Sequence, residues 1–374
     1  MLFAAPESFR TFVLKVHARC DLACDYCYVY QAADQSWRTR PPMMTAEVAS
    51  LAAARIAEHA AAHGLAAVDV VLHGGEPLLC GPRHLRRLAD VLTEPPVRVR
   101  LAVQTNGVRL DEEYLDLFDE IGATVAVSLD GDARHHDAHR RTRAGRGSHA
   151  RVTAAVRALS AREGRFGGLL ATVDPHADPV RVYEELISYR PPVIDFLLPH
   201  GTWSTPPPGR VEAEAATPYA DWLIAAFDRW YGAPVRETSV RLFDAIIHLL
   251  LGGRAGTEGV GPVPAPVVIV ESDGSIEQTD ALKAAYDGAA ATGAHVATHS
   301  FDEVLRLPGL AATRPPCDRC RRCPVFRVCG GGHPAHRYRR GTGFANPSVY
   351  CPDLLRLITH IDGRVADDLA RLRA

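Results

Sequence analysis

The chain lacks several features that would assign it at once to a membrane, secreted or nucleic-acid-binding class. No apolar run in its 374 residues approaches the roughly 18 residues that span a bilayer. The N-terminal segment has no charged region followed by a long apolar core, which argues against a signal peptide. The formal net charge is −2, so no overall positive field attracts nucleic acid. We therefore expect a cytoplasmic protein with no membrane or nucleic-acid partner.

Cysteine is absent from residues 81–316, yet the chain contains nine cysteines. They form two groups and one isolated residue: Cys20, Cys24 and Cys27; Cys317, Cys320, Cys323, Cys329 and Cys351; and Cys80 alone. In a reducing compartment, clustered cysteines indicate metal ligands sooner than disulfides, and the odd count also argues against a disulfide framework. The three thiols of the first group suit a metal centre with one coordination position left open.

Short β-type runs alternate with alanine- and leucine-rich helical stretches between residues 11 and 198. The predicted strands are 11–16, 68–73, 99–105, 123–129, 168–173 and 193–198. Such alternation predicts parallel strands joined by helical crossovers. Six units, with the first cysteines directly after the first strand, indicate an α/β fold with an incomplete (β/α)6 barrel like that of triosephosphate isomerase. In such folds the chemistry gathers at the carboxyl ends of the strands.

A second region follows the prolines of residues 201–210. Its predicted elements are two helices at 217–230 and 238–251, a glycine- and proline-rich connector at 252–266, a hairpin turning at Asp273–Gly274, and an amphipathic closing helix at 352–373. We therefore divide the chain into a partial barrel at 1–200, bridging helices with their connector at 201–265, and a C-terminal cysteine-rich domain at 266–374.

The first cysteine group has the spacing Cys20-x3-Cys24-x2-Cys27, with Tyr26 before the third cysteine. One interpretation is a zinc site that lacks a fourth ligand or completes it with His17. The other is a 4Fe–4S cluster, for which cysteine thiolates are the usual ligands. The spacing, Tyr26 and the position after the first strand resemble the radical S-adenosylmethionine (SAM) superfamily. That resemblance implies a cluster whose open iron binds SAM and cleaves it to a hydrogen-abstracting radical.

Motifs after the next strands strengthen this resemblance. Gly74, Gly75 and Glu76 lie in "LHGGEP", which resembles the superfamily motif that holds the amino group of SAM. The two glycines allow a close approach of backbone to ligand, and the carboxylate can accept from an amine. Taken alone, Gly-Gly-Glu-Pro is also an ordinary turn.

Polar residues also follow the third and fourth strands. By resemblance, Asn106 and Ser128 bind the ribose and carboxylate of SAM, while Asp130 faces the substrate; strand-end capping is the alternative for any of them. Arg140 stands where relatives have the arginine that pairs with the SAM carboxylate, a task that suits a bidentate guanidinium. Arg141 is a close competitor for that role.

The second cysteine group resembles the SPASM extension of radical SAM peptide maturases. The resemblance assigns four ligands to one auxiliary 4Fe–4S cluster: Cys320, Cys323, Cys329 and Cys351. His333 and Thr279 stand where a further auxiliary cluster would require cysteines. We therefore predict two clusters in total, with Cys317 unassigned. A zinc ribbon at 317–351 is the alternative.

Asp280 follows Thr279 directly. In related formylglycine-forming maturases, the aspartate at this place is a candidate general base. The resemblance therefore suggests that Asp280 removes a proton as the substrate radical is oxidised. A solvated turn carboxylate is the alternative.

Residues 10–360 resemble the FxsB-type branch of SPASM maturases. This branch implies an enzyme that forms a cyclophane in a ribosomal precursor peptide with a leader, joining an aromatic ring carbon to the β-carbon of a nearby residue. It also implies an external electron donor of the flavodoxin or ferredoxin type. Two alternatives stay open: a sulfatase-maturase-like enzyme that forms formylglycine, and a zinc-binding scaffold without catalysis.

Overall fold

A computed structural model describes residues 8–94, 96–210, 216–254, 257–262, 267–308, 310 and 316–373. Ten strands form one sheet: Thr11–His17 (β1), Ala67–Gly74 (β2), Arg98–Thr105 (β3), Thr124–Ser128 (β4), Phe166–Thr172 (β5), Val193–Leu197 (β6), Ser239–Val240 (β7), Val267–Val270 (β8), Ser275–Glu277 (β9) and Ala291–His295 (β10). All six strands predicted between residues 11 and 198 are therefore present, with ends shifted by at most two residues.

The α-helices lie between these strands and after them. They are Ala46–Ala62 (α1), Pro82–Thr93 (α2), Glu112–Glu120 (α3), Ala133–His139 (α4), His149–Ser160 (α5), Pro179–Ile187 (α6), Pro218–Tyr231 (α7), Arg241–Leu250 (α8), Phe301–Leu305 (α9), Asp318–Arg321 (α10), Phe326–Cys329 (α11) and Cys351–Arg373 (α12). The two predicted bridging helices correspond to α7 and α8, and the predicted closing helix to α12. The connector predicted at 252–266 lies partly outside the described residues.

Local sequence signals explain where several elements begin and end. Thr45 caps α1 because its side chain accepts a hydrogen bond from the backbone N–H of Val48. The hairpin of β8 and β9 turns at Asp273–Gly274, where Gly274 has φ of 92°. The Asp273 carboxylate accepts from the N–H of Ser275, which closes the turn.

The strand order is β10-β9-β8-β1-β2-β3-β4-β5-β6-β7. Neighbours from β8 to β7 are parallel, whereas β9 runs antiparallel to β8 and to β10. The α/β fold predicted from the sequence is thus confirmed. The sheet also crosses both predicted domain boundaries, since β7 pairs with β6 and β8 pairs with β1. The three-part division of the chain stays a prediction.

Apolar side chains of the strands alternate between full burial and partial exposure. In β2, for example, Val68, Val70 and Leu72 are completely buried. One face of these strands is therefore packed into the core, and the carboxyl ends of the parallel strands lie at the same edge of the sheet. Within the described residues, no helix combines the length and apolar character needed to cross a membrane.

Candidate functional site

The first three cysteines lie on the loop after β1 and line a cavity of about 190 Å³ at the carboxyl ends of the strands. Burial raises the pKa of Cys20 to about 12 and that of Cys24 to about 11. Such thiols stay protonated unless a metal binds and supplies positive charge. Three converging thiols with no fourth cysteine in the cavity lining therefore fit a cluster with one open iron.

Most of the predicted SAM-binding residues line the same cavity. They come from the ends of β2, β3 and β4 and from the segment after α4: Gly74, Gly75, Asn106, Ser128 and Arg140, with Tyr26 from the cysteine loop. Parallel strands bring their carboxyl ends together, so residues far apart in the chain meet here. Their binding of SAM stays a prediction.

Glu76 is completely buried and its carboxylate is occupied within the protein. Oε1 accepts from the Thr105 hydroxyl at 2.6 Å and from the N–H of Leu78 at 3.0 Å, while Oε2 accepts from the N–H of Asn106 at 2.7 Å. Gly74 and Gly75 line the cavity, whereas Glu76 is not among its lining residues. The geometry thus gives Glu76 the role of joining the loop after β2 to the end of β3.

Asn106 contacts the cysteine loop directly. Its amide nitrogen donates to Oδ1 of Asp21 at 2.9 Å and lies 3.6 Å from the sulfur of Cys20. Ser128 accepts a hydrogen bond from the amide of Gln104, another cavity residue, at 3.1 Å. The ends of β3 and β4 therefore present hydrogen-bonding groups beside the thiols.

Arg140, rather than Arg141, faces the cavity. Its Nη1 donates to the Tyr26 hydroxyl at 2.8 Å, and that hydroxyl in turn donates to Asp130. Nε of Arg140 is buried without a hydrogen-bond partner. Arg141 is exposed and donates to the backbone carbonyl of Asp137. A buried guanidinium with an unpaired donor fits an anionic ligand such as a carboxylate.

A second cavity, of about 510 Å³, adjoins the first. Residues that line both are Tyr26, Cys27, Tyr28, Thr172, Pro199 and His200. The larger cavity is also lined by three consecutive prolines at 206–208 and by Tyr219. A partly apolar space therefore adjoins the first cysteine group.

Asp280 is buried and lies in a network of charged side chains. It is therefore not the solvated turn carboxylate that the sequence left open as an alternative. It forms ion pairs with Lys15 and with Lys283, the latter at 3.0 Å. Burial by itself would raise the pKa of Asp280, but Lys15 and Lys283 together hold that pKa below its usual range. The carboxylate is therefore ionised inside the protein. Its role as a base stays a prediction.

The second cysteine group also assembles in the fold. Electrostatic interactions link the thiols of Cys320, Cys323, Cys329 and Cys351, which lie on or beside α10, α11 and the start of α12. Burial raises the pKa of Cys320 to about 12 and that of Cys329 to about 11. These buried thiols fit a fully ligated cluster. The sulfur of Cys317 lies 3.6 Å from that of Cys320, so a fifth thiol adjoins the group.

The two positions that lack a predicted cysteine come together as well. Nε2 of His333 lies 3.8 Å from Oε1 of Glu258, and Glu258 also interacts with the side chain of Thr279. His200 adjoins this group through its hydrogen-bond contact of 3.0 Å with His336. His333 and Thr279, which stand where the family resemblance would put thiol ligands, thus both lie beside the carboxylate of Glu258.

Several of these residues were missed by sequence reasoning, above all Lys15, Lys283 and Glu258. A lysine inside the largely apolar strand β1 was a usable signal, because buried lysines are rare unless they are paired. No comparable signal marked Lys283 or Glu258, because neither stands in a predicted strand whose pattern marks a position as buried. Their roles depend on contacts between distant parts of the chain.

Comparisons with known proteins agree with this geometry. Residues 14–174 match the model of the radical SAM superfamily. The serine-type anaerobic sulfatase-maturating enzyme of Bacteroides thetaiotaomicron is 22% identical to this chain, covering 96% of the chain and 90% of that protein. The cysteine-type enzyme of Clostridium perfringens is also 22% identical, covering 84% and 85%.

Solved structures share the fold. The structure of anSMEcpe with bound AdoMet superposes with a TM-score of 0.82 at 20% identity, over 96% of this chain and 98% of that one. SuiB of Streptococcus suis bound to its precursor peptide SuiA gives a TM-score of 0.62 at 13% identity, over 93% and 76%. Residues 14–174 thus form a radical SAM domain, and the protein is an enzyme of the radical SAM superfamily related to the anaerobic sulfatase-maturating enzymes.

Proposed function

We propose that the enzyme modifies a ribosomally made peptide by forming a cyclophane, a bond between an aromatic ring carbon and the β-carbon of a nearby residue. A peptide as substrate is supported by the structural relatives, because one structure of anSMEcpe contains a peptide and SuiB was solved with its precursor. The resemblance to the FxsB-type branch supports the cyclophane as product.

The joined cavities carry this proposal. The larger cavity has a volume of about 510 Å³, and the tyrosine and proline side chains that line it suit an aromatic substrate residue. It meets the smaller cavity at Cys27, Tyr28 and His200, so a bound side chain reaches the first cysteine group. A bound peptide that fills this space would leave the radical few competing partners.

The cofactors assigned are SAM and two 4Fe–4S clusters, one on each cysteine group. When bound, the first cluster and SAM supply the radical that removes a hydrogen atom, and the second cluster accepts the electron released later. Arg140 would pair with the carboxylate of SAM, and the turn of Gly74, Gly75 and Glu76 would hold its amino group. Asp280 would accept the proton that the aromatic ring loses as the new bond forms.

The proposal is tested by co-expressing the enzyme with a candidate precursor peptide and analysing that peptide by mass spectrometry. We expect the loss of two hydrogens for each crosslink. The Asp280→Asn variant should lose the crosslinked product and still form 5′-deoxyadenosine from SAM. An unchanged product yield from this variant would remove Asp280 from the mechanism.

The second candidate is the formation of formylglycine from cysteine or serine, favoured by the names of the relatives that cover most of this chain. The family resemblance implies that such maturases have two auxiliary clusters. In this chain Thr279 and His333 stand where two of the cysteines of one of these clusters would be required. A sulfatase-type peptide incubated with the enzyme discriminates between the candidates. An aldehyde in that peptide would support the formylglycine reaction and overturn the cyclophane.

A further inference from the structure

Lys15 is a buried charge in the middle of β1 that the proposed cofactor sites do not explain. Only 2% of the residue is exposed, and its neighbours in the strand are largely apolar. Removing an ammonium group from water is unfavourable unless a close anion and further hydrogen bonds compensate it. The partners of Lys15 therefore indicate why a charge stands at this position.

Those partners come from two remote parts of the chain. Nζ of Lys15 forms an ion pair with Asp280, which follows the β8–β9 hairpin. The same nitrogen donates to the backbone carbonyl of Gly74 at 3.3 Å and lies 3.5 Å from Nδ1 of His73. Gly74 and His73 both line the smaller cavity. One ammonium group thus fixes the position of Asp280 relative to the predicted SAM-binding turn.

Lys283 also contacts Asp280, but its charge is shared. Its Nζ lies 3.0 Å from Asp280, 2.5 Å from Glu271 and 3.0 Å from Glu277. Among the ion pairs of the described residues, Lys15 has Asp280 as its carboxylate partner. Among the buried carboxylates, loss of Lys15 would therefore act mainly on Asp280, while Lys283 would still compensate part of the buried negative charge.

We propose that Lys15 is a positioning residue that holds the Asp280 carboxylate beside the Gly74 turn, so that Asp280 can accept the proton of the reaction. This inference rests on the proposed function, in which Asp280 is the base. The ammonium group touches neither the peptide nor the ring. It acts through the carboxylate.

The charges around Asp280 determine how the effect of replacing Lys15 depends on pH. Burial raises the pKa of Asp280, and Lys15 opposes this more strongly than Lys283 does. Asp280 also interacts electrostatically with four other titratable groups: His73, Tyr28, His200 and Glu277. Without Lys15 the pKa of Asp280 rises. Asp280 would then be protonated, and unable to accept a proton, at the acidic end of the pH range.

The test compares the Lys15→Met variant with the wild type from mildly acidic to alkaline pH. The measured quantity is the ratio of modified peptide to 5′-deoxyadenosine, which separates proton removal from SAM cleavage. We expect a ratio independent of pH in the wild type. In Lys15→Met it should fall by about tenfold for each pH unit below the raised pKa and recover at alkaline pH.

Iron content, cluster absorbance and the thermal unfolding midpoint show whether the variant is folded and loaded. Lys15→Arg keeps the positive charge and should restore a flat profile. If Lys15→Met does not fold, Lys15→Gln replaces it, because its amide still donates to the Gly74 carbonyl without a charge. A ratio equal to that of the wild type at every pH, or one lowered equally at every pH, would overturn the proposal.

The outcomes also separate this inference from the proposed function. The ratio is measured on whichever oxidised peptide the wild type makes, since the formylglycine reaction also releases a proton. A formylglycine product would therefore overturn the cyclophane and leave the test of Lys15 intact. Normal product from Asp280→Asn would show that Asp280 is not the base. If Asp280→Asn loses the product but the product ratio of Lys15→Met does not depend on pH, only the role of Lys15 is overturned.

Discussion

Glu76 is a buried carboxylate that is held by hydrogen-bond donors rather than by a cation. Burial raises its pKa to about 7, although Thr105, Asn106 and Leu78 all donate to it. The folded state therefore keeps a proton on Glu76 that the unfolded chain releases near the ordinary glutamate pKa of 4.5. Because the folded state binds more protons in this window, its stability falls as the pH rises from about 4.5 to about 7.

We predict that Glu76→Gln destabilises the protein by about 1–3 kcal/mol, because its amide would turn a donor towards other donors. The variant should also lose the part of the pH dependence that Glu76 causes between pH 4.5 and 7. Urea unfolding at several pH values measures both effects. Glu113→Gln, on the exposed side of α3, is the matched control. Equal pH slopes in the wild type and Glu76→Gln would contradict this account.

At the residue scale, spacing predicted which side chains meet but not always how they act. Tyr26, Asn106, Ser128 and Arg140 all line the cavity. Glu76 also accepts three hydrogen bonds within the protein, which the motif did not indicate, and its contact with the amine of SAM stays a prediction. Hydrogen-bond partners depend on the distance between loops, and a single sequence does not contain that distance.

At the element scale, the turn after β2 packs against the cysteine loop with no space for a side chain. A Cβ built on Gly75 would lie 1.9 Å from the Tyr30 hydroxyl and 2.5 Å from the carbonyl oxygen of Arg19. Real Cβ atoms do not approach so closely, and the Arg19 backbone directly precedes Cys20. The two glycines therefore serve the packing of two loops as well as the approach of a ligand.

We predict that Gly75→Ala displaces the cysteine loop and lowers the iron content associated with the first cysteine group, with a loss of SAM binding. Iron analysis and the cluster absorbance of anaerobically reconstituted protein measure the effect. Gly363→Ala in α12 is the control, because its added Cβ meets nothing within 4 Å. If Gly75→Ala binds as much iron and SAM as the control, the close packing has no functional role.

The elements themselves followed from local pattern. The six predicted barrel strands exist because apolar runs of strand length alternate with helical stretches, and α1 begins after Thr45 as its capping signal indicates. The pairing of β8 with β1 was not predicted. These strands are separated by most of the chain, and the sequence around β8 indicates only its pairing with β9 in a hairpin.

For the whole molecule, the two cysteine groups predict two clusters and about eight iron atoms per chain. Cys329→Ser should remove one ligand of the second cluster and reduce the iron content to about four atoms, with the first cluster retained. Iron and sulfide analysis of anaerobically reconstituted protein measures this. Cys317→Ser is the matched control and should keep both clusters. About twelve iron atoms in the wild type would instead indicate a third cluster.

The amino-acid sequence by itself determined the spacing of the cysteines, the alternation of strands and helices, and the glycine and proline turns, because these depend on residues close together in the chain. Only the tertiary structure decided that Arg140 rather than Arg141 faces the cavity, that Lys15 meets Asp280, and that His333 meets Glu258. The physical reason is that sheet register and loop packing set the direction of each side chain and the distance between remote segments.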